Sequence, residues 1–527
     1  MGDIVISSGR VLDGTGNPWF KADIGISRGR IVAIGDLQSE KAETRIDAKN
    51  LVVAPGFIDM HSHSDDALLV NPKAESKIRQ GVTTEVIGNC GDSGAPIDET
   101  IRKEMEKTAA ALIGAGVKID YSTLEEYARK LLRQGISVNV VPLVGHGNLR
   151  KMVVGYENRP PTKAELERMK RILAEAMKQG AFGMSAGLIY PPGSYAKTPE
   201  LIELAKVAAS FHGIYTSHIR NEGEKLLDAV REAIIIGREA KIPVEISHHK
   251  VGGKENWGKV RQARVLMEDA RKEGIEVTCD VYPYVASSFG LVNMLPQWAH
   301  EGGPEKIIQR LRNPQIKNRM KKDMLKGALS SAHWNRTMMA HCPKHKEYQG
   351  RFVAEIAKTK REDPFEFAFS LLIEEKLAIS VVRFGMCEED VEYVLQYPNA
   401  MVGSDGSALA PYGPLGKGHP HPRNYGTFTR VLGHYSRTRG IITLQEAVRK
   451  MTSLPAQKLG LRDRGVIRLG AWADLVVFNP ETVIDVATYA DPKRYPKGID
   501  YVIVNGVLTV SKGRHTGARA GKVLKRS

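Results

Sequence analysis

"PGFIDMHSHSD" (Pro55–Asp65) places two histidines, His61 and His63, one residue apart at the end of an apolar run. On a surface loop the pair would have no special meaning. At the end of a β-strand it has a chemical one. Side chains at i and i+2 share a strand face, so both imidazoles can reach one metal ion from one strand end. The rest of the chain decides between these readings.

Working outward, eight apolar runs have the character of strands. They are "GFIDM" (56–60), "TTEVIG" (83–88), "VNVVPLV" (138–144), "AFGMSA" (181–186), "GIYTS" (213–217), "PVEIS" (243–247), "IEVTCDV" (275–281) and "AMVGS" (400–404). Amphipathic helical stretches alternate with them, which implies βαβ crossovers and a parallel sheet. Eight such units predict a (β/α)8 TIM barrel in the α/β class.

In such barrels the chemistry sits at the C-terminal ends of the strands. The first run ends in His61 and His63, and the second in Asn89, Cys90 and Gly91. His146 follows the third, His218 ends the fifth, and His248 and His249 end the sixth. The seventh ends in Asp280, Tyr282 and Tyr284, and the eighth in Asp405. One histidine at a strand end is usually structural, but several strands ending in His, Cys or Asp point to a metal site. Between His218 and His248, "GEKLLDAVREAIIIGREAKIP" carries Leu226, Leu227, Val230, Ile234 and Ile235 at helical spacing. That length is one βαβ unit, so both histidines arrive at the same barrel face. Alternation along the strand turns His249 away. Cys90 adds a thiolate, and nitrogen, sulfur and carboxylate donors together favour zinc over magnesium or calcium.

Both chain ends differ in texture from the middle. Residues 1–54 and 461–527 read as short strands broken by glycine turns, with a hairpin signal at Asn505-Gly506. Neither end has enough apolar residues to fold alone, so the two are expected to combine in one small β-sandwich beside a barrel of residues 55–460. The segment from about 286 to 398 exceeds what one crossover needs. It includes charged helix such as "NRMKKDMLKGAL" (318–329) and is expected to be an inserted subdomain over the barrel mouth.

The net charge of +16 raises the question of nucleic acid. The tail "SKGRHTGARAGKVLKRS" supplies Lys512, Arg514, Arg519, Lys522, Lys525 and Arg526 with no acid. Elsewhere basic and acidic residues interleave, with neither a basic helix nor an aromatic stacking motif, which argues against nucleic acid. No run approaches the roughly 18 apolar residues of a membrane span. The start "MGDIVISSGR" lacks the features of a secretory signal, so a cytoplasmic protein is expected. Cys90, Cys279, Cys342 and Cys387 are widely separated and suggest no disulfide framework.

Taken together, these segments resemble the amidohydrolase superfamily, and within it the N-acyl-D-amino-acid deacylases. The likeness is carried by "PGFIDMHSHSD", "IGNCG", "SAGLIYPPGSYAKTPEL", "SHIRNEG", "ISHHKVGG", "TCDVYPY", "GSDGS", "HPHPRNYGTFTRVLG", "RGVIRLGAWADLVVF" and "HTGARAGKVL". The resemblance implies zinc-dependent hydrolysis of N-acyl-D-amino acids. It implies one zinc held tightly by Cys90, His218 and His248, and a second, looser one near His61, His63 and Asp405. Asp405 takes the place of the general base, Lys250 and Arg423 that of the groups binding the substrate carboxylate. Tyr190 and Tyr282 match residues lining the pocket. The stretch between Asp405 and Arg423, "GSALAPYGPLGKGHPHP", is longer than the resemblance leads one to expect and should reshape the rim. Two rivals remain open: a cyclic-amide hydrolase of the hydantoinase or dihydroorotase kind, and a metal-free scaffolding homologue. The first needs a bridging lysine after the fourth strand, where "AFGMSAGLIYPPG" offers none. The expected partner is a small molecule, and a homo-oligomer is compatible with the sequence.

Overall fold

The computed structural model describes residues 2–326 and 331–526. Its centre is a barrel of eight parallel strands. They are β1 (Phe57–Asp59), β2 (Val82–Ile87), β3 (Asn139–Pro142, continued at Val144–Gly145), β4 (Gly183–Gly187), β5 (Ile214–His218), β6 (Val244–Ile246), β7 (Val277–Val281) and β8 (Ala400–Val402). Each pairs in parallel with the next in sequence. The ring closes between its ends, where Met60 N donates to Val402 O (3.3 Å) and Asp405 N to His61 O (2.8 Å). That closure sets Asp405 beside His61. The eight runs expected as strands are these eight.

The barrel strands are buried throughout, as expected of a parallel sheet covered by helices. Helix Lys163–Lys178 shows how the covering layer is encoded. Thr162 Oγ1 accepts from Glu165 N (3.2 Å) while the Glu165 carboxylate accepts from Thr162 N (2.7 Å), a capping box. Met169, Leu173, Ala176 and Met177 then form the buried stripe at helical spacing.

Both chain ends enter one nine-stranded sheet. Strand Val52–Pro55 joins them, pairing parallel with Gly2–Val11 and antiparallel with Leu475–Phe478. Ile4, Ile24, Ile46, Leu475 and Ile503 share its core, so neither end is a unit alone. Asn505 and Gly506, with φ of 50° and 81°, turn the hairpin between Ile499–Val504 and Val507–Ser511. The basic tail lies along the barrel base: Val140 N donates to Lys522 O (2.8 Å) and Arg526 N to Gly180 O (3.1 Å).

The long crossover between β7 and β8 carries a second small body. Strand Ser380–Phe384 lies between Ala286–Gly290 and Thr337–His341 in an antiparallel sheet. Its own core includes Leu291, Trp334, Met339, Phe365 and Leu372. Of the run 318–329, the part to Lys326 lies in helix Pro314–Lys326; residues 327–329 lie outside the described residues. The expected insertion of 286–398 is too long at its end. Helix Glu388–Leu395 places Val391, Val394 and Leu395 in the barrel core and is part of the barrel's own helical layer. Among the described residues no helix is long and apolar enough to cross a membrane.

Candidate metal centre

The six expected ligands converge at the C-terminal mouth of the barrel. Cys90 Sγ stands 3.3 Å from His61 Nε2, 3.6 Å from His218 Nδ1 and 3.3 Å from His248 Nε2. Asp405 Oδ1 lies 3.0 Å from His63 Nε2 and 3.6 Å from His61 Nε2. Among the described residues two groups have ligand atoms all within 4.8 Å of one another: Cys90, His218 and His248, and His61, His63, Cys90 and Asp405.

Unusual backbone conformations aim these groups. Cys90, His248 and Asp405 have φ of 54°, 36° and 49°, the left-handed region that non-glycine residues avoid. Each such residue costs of order 1–3 kcal/mol, a strain typical of functional sites. Close approach of neighbouring backbone holds the Cys90 turn: a Cβ on Gly187, at the end of β4, would run into the Cys90 carbonyl. At Gly403 a Cβ would lie 2.6 Å from His61 Cβ and 2.7 Å from Asp280 Oδ1, so only glycine fits.

The sulfur carries charge. Burial pushes its thiol up, but His61 and His248 outweigh burial and hold it well below the ordinary thiol range. Asp405 likewise resists burial, because Arg423 first and His248 second keep its carboxyl well below its usual value.

Behind the ligands stand acids that orient them. Asp280 accepts from His61 Nδ1 (3.3 Å) and from His248 N (2.8 Å). Glu222 Oε1 lies 3.1 Å from His248 Nδ1, and Glu222 Oε2 lies 3.7 Å from His218 Nε2. Lys250 Nζ stands nearer to the same Nδ1 (2.8 Å), but a lone pair on His248 Nε2 requires the proton on Nδ1, and of these two neighbours only Glu222 can accept from it. Beneath β1 and β8, the fully buried Lys77 Nζ donates to Asp59 Oδ2 (2.6 Å), Ser404 Oγ (2.5 Å) and Gly406 O (3.2 Å), and lies 3.6 Å from Glu85 Oε2. Asp59 Oδ1 in turn accepts from Ser404 N (2.8 Å) and His61 N (3.3 Å). This network fastens the His61 strand end to the Asp405 turn. No sequence pattern singles out Glu222 or Lys77. "SHIRNEG" contained the first, and nothing in "ESKIRQG" sets the second apart from a solvated lysine.

The expected substrate-binding residues lie around the same cluster. Arg423 Nη1 donates to Asp405 Oδ2 (2.6 Å), and Lys250 Nζ to Glu222 Oε1 (2.6 Å). Both cations face the Tyr282 ring, at 4.8 Å and 5.6 Å from its centroid. Burial pushes the Tyr282 phenol up to about 12, and its buried hydroxyl has no partner among the described residues. Tyr190 meets His218 edge to face at 4.8 Å. The rim segment before Arg423 is tied down by His421: its Nδ1 accepts from Arg423 N (3.0 Å), and its Nε2 lies 2.9 Å from Ala286 O.

The other strand-end residues lie outside the cluster. His146 bonds Glu200 (2.9 Å), and Asn89 donates to Val86 O (2.9 Å). His249 is buried, and burial pushes its pKa down to about 4. Tyr284 packs against His421, 5.2 Å between ring centroids.

Comparison with known proteins agrees with this geometry. A family model described as "Amidohydrolase family" matches residues 44–510. D-aminoacylase of Alcaligenes xylosoxydans xylosoxydans is 38% identical over 100% of this chain and 98% of its own. N-acyl-D-glutamate deacylase of the same organism is 39% identical over 99% and 96%. The solved structure of N-acyl-D-glutamate deacylase from Bordetella bronchiseptica, complexed with zinc and a phosphonate inhibitor that mimics the tetrahedral intermediate, superposes with a TM-score of 0.84. It is 36% identical and is covered over 99% of each chain.

Proposed function

The chain belongs to the amidohydrolase family, and from that premise we propose that it is a zinc-dependent deacylase, hydrolysing the amide bond of N-acyl-D-amino acids to a carboxylate and a free D-amino acid. The observation that carries this reading is Cys90 Sγ at the hub of three imidazoles, 3.3–3.6 Å away. A charged sulfur there takes the place of the bridging lysine that a cyclic-amide hydrolase needs after β4, where "AFGMSAGLIYPPG" offers none. All six candidate ligands are present, which argues against a metal-free scaffold. The preference for the D configuration rests on the named relatives.

The residues fit zinc by their chemistry: one soft thiolate, imidazoles with acids behind them, and one carboxylate. We assign a tight zinc to Cys90, His218 and His248, and a weaker second one to His61, His63 and Asp405. Bound there, zinc supplies Lewis acidity, polarising an amide carbonyl and lowering the pKa of water to about 7. The protein does the rest. Asp405, kept ionised by Arg423, accepts a proton from the attacking water and returns it to the amine, which leaves poorly unless protonated. Lys250 and Arg423 hold the substrate carboxylate, with Tyr282 between them. Arg423 keeps a buried, unpartnered Nε for this task, beside an Nη2 whose one contact is a long one to Ser288 O (3.4 Å). The protein is expected to act in the cytoplasm, where its cysteines stay reduced.

The test is turnover of N-acetyl-D- and N-acetyl-L-amino acids by the zinc-loaded protein. Release of free amine from the D series supports the reading. Efficient opening of dihydrouracil or a hydantoin, with no release from linear amides, overturns it.

A further inference from the structure

Arg423 opens the helix Arg423–Arg430, and the first amides of a helix have no partner within it. Pro422, the residue before it, makes no side-chain cap. His421 takes that role, because its Nδ1 accepts from Arg423 N (3.0 Å). A backbone amide can only donate, so the ring proton must sit on Nε2, where Ala286 O lies 2.9 Å away. The ring is buried, and burial first and Arg423 second hold it well below the ordinary histidine range, so it stays neutral.

The surroundings keep this ring in one place. Pro420 and Pro422 flank His421 with fixed φ, and a residue before proline is held extended. The rings of Tyr284 and Tyr489 stand close to perpendicular to it, 5.2 Å and 5.1 Å away between centroids. His421 O accepts from Asn424 Nδ2 (2.7 Å), and Asn424 Oδ1 accepts from Ser407 N (2.7 Å), two residues past Asp405. The inserted strand Ala286–Gly290 therefore reaches Arg423 at both ends. It meets the backbone amide through His421 at Ala286 O, and the guanidinium directly at Ser288 O, 3.4 Å from Nη2.

We propose that His421 is a positioning residue for Arg423: as an acceptor it fixes the first amide of the helix, and so sets where the guanidinium meets the substrate carboxylate. This rests on the deacylase reading and deepens it. A ring that only filled space would need neither nitrogen. Here each nitrogen has its own task, and two substitutions separate them. Asparagine puts an acceptor near the Nδ1 place but is too short for Ala286 O. Glutamine reaches Ala286 O but leaves Arg423 N without its partner.

The experiment measures kcat and KM for zinc-loaded wild type, His421→Gln and His421→Asn, on the N-acetyl-D-amino acid that the wild type turns over best. Zinc content and the thermal midpoint are read beside them. His421→Gln should raise KM roughly 10- to 100-fold, the effect of a misplaced binding group, while kcat falls less. His421→Asn should keep KM within about threefold of wild type, since it retains the bond to Arg423 N. Both should hold zinc at the wild-type level, because His421 makes no bond to the metal centre. If His421→Gln does not fold, His421→Asn decides alone: a KM near wild type supports the proposal and a raised one overturns it. Equal rises in KM in both variants, or an unchanged KM in His421→Gln, overturn the proposal and leave the deacylase reading standing. No release of amine from any N-acyl-D-amino acid by the wild type overturns both.

Discussion

The two halves of the centre are built differently. Cys90, His218 and His248 are shut away, at 8%, 4% and 2% exposure, and Glu222 backs both histidines. In the other half His61 and Asp405 are buried too, but the His63 side chain is 34% exposed, and Asp405 is shared between His63 and Arg423. A ligand already claimed by a cation binds a metal less well, but it remains free to move a proton. On this contrast we assign retention of metal to the first half and proton transfer to the second. Each assignment can be broken separately.

The largest effect is expected at Asp405. Asp405→Asn keeps the shape but cannot accept a proton, so kcat should fall roughly 10²- to 10⁴-fold. Zinc content after dialysis should stay at the wild-type level. Loss of zinc in parallel with activity would make Asp405 a ligand of the retained metal and erase the division between the halves.

Lys77 tests what supports the proton-transfer half. Lys77→Met leaves Asp59 buried without its cation, which should cost about 3–5 kcal/mol of folding stability, read from urea unfolding. Because the network joins the His61 strand to the Asp405 turn, kcat should fall while the zinc held by Cys90 is kept. A change in stability below about 1 kcal/mol would show that the network is dispensable.

The smallest effect belongs to Glu222. Glu222→Gln should weaken zinc binding roughly 10- to 100-fold in competition with a chelator, the usual worth of an acid behind a ligating histidine. Unchanged affinity would mean that Glu222 serves Lys250 alone.

How far these features were legible in the sequence follows from where their causes lie. The eight barrel strands could be read because each apolar run is local and ends in a polar residue that has no other reason to be there. His61, His63, Cys90, His218, His248 and Asp405 were visible for the same reason. The helix Glu388–Leu395 falls inside the range expected for the insertion, and its charged first turn, Glu388, Glu389 and Asp390, carries no local sign of the barrel; only packing of Val391 and Leu395 reveals its place. Glu222 depends on a loop folding back so that Gly252 N bonds its carbonyl (2.7 Å), which no local pattern encodes. Lys77 looks like a surface lysine until β1 and β8 close over it. The left-handed backbone at His248 and Asp405 is likewise imposed by the closed barrel, whereas at Cys90 the flanking Gly88 and Gly91 gave a hint.

Elemental analysis reads at once whether the Cys90 half retains the metal. Wild type, Cys90→Ala and His63→Ala would be loaded with zinc, dialysed against a weak chelator and measured for zinc per chain. Wild type and His63→Ala should keep about one equivalent, while Cys90→Ala should fall to near zero, since removing one of few ligands destroys a tight site. A Cys90→Ala protein that keeps its zinc, beside a His63→Ala protein that loses it, would place the retained metal in the other half.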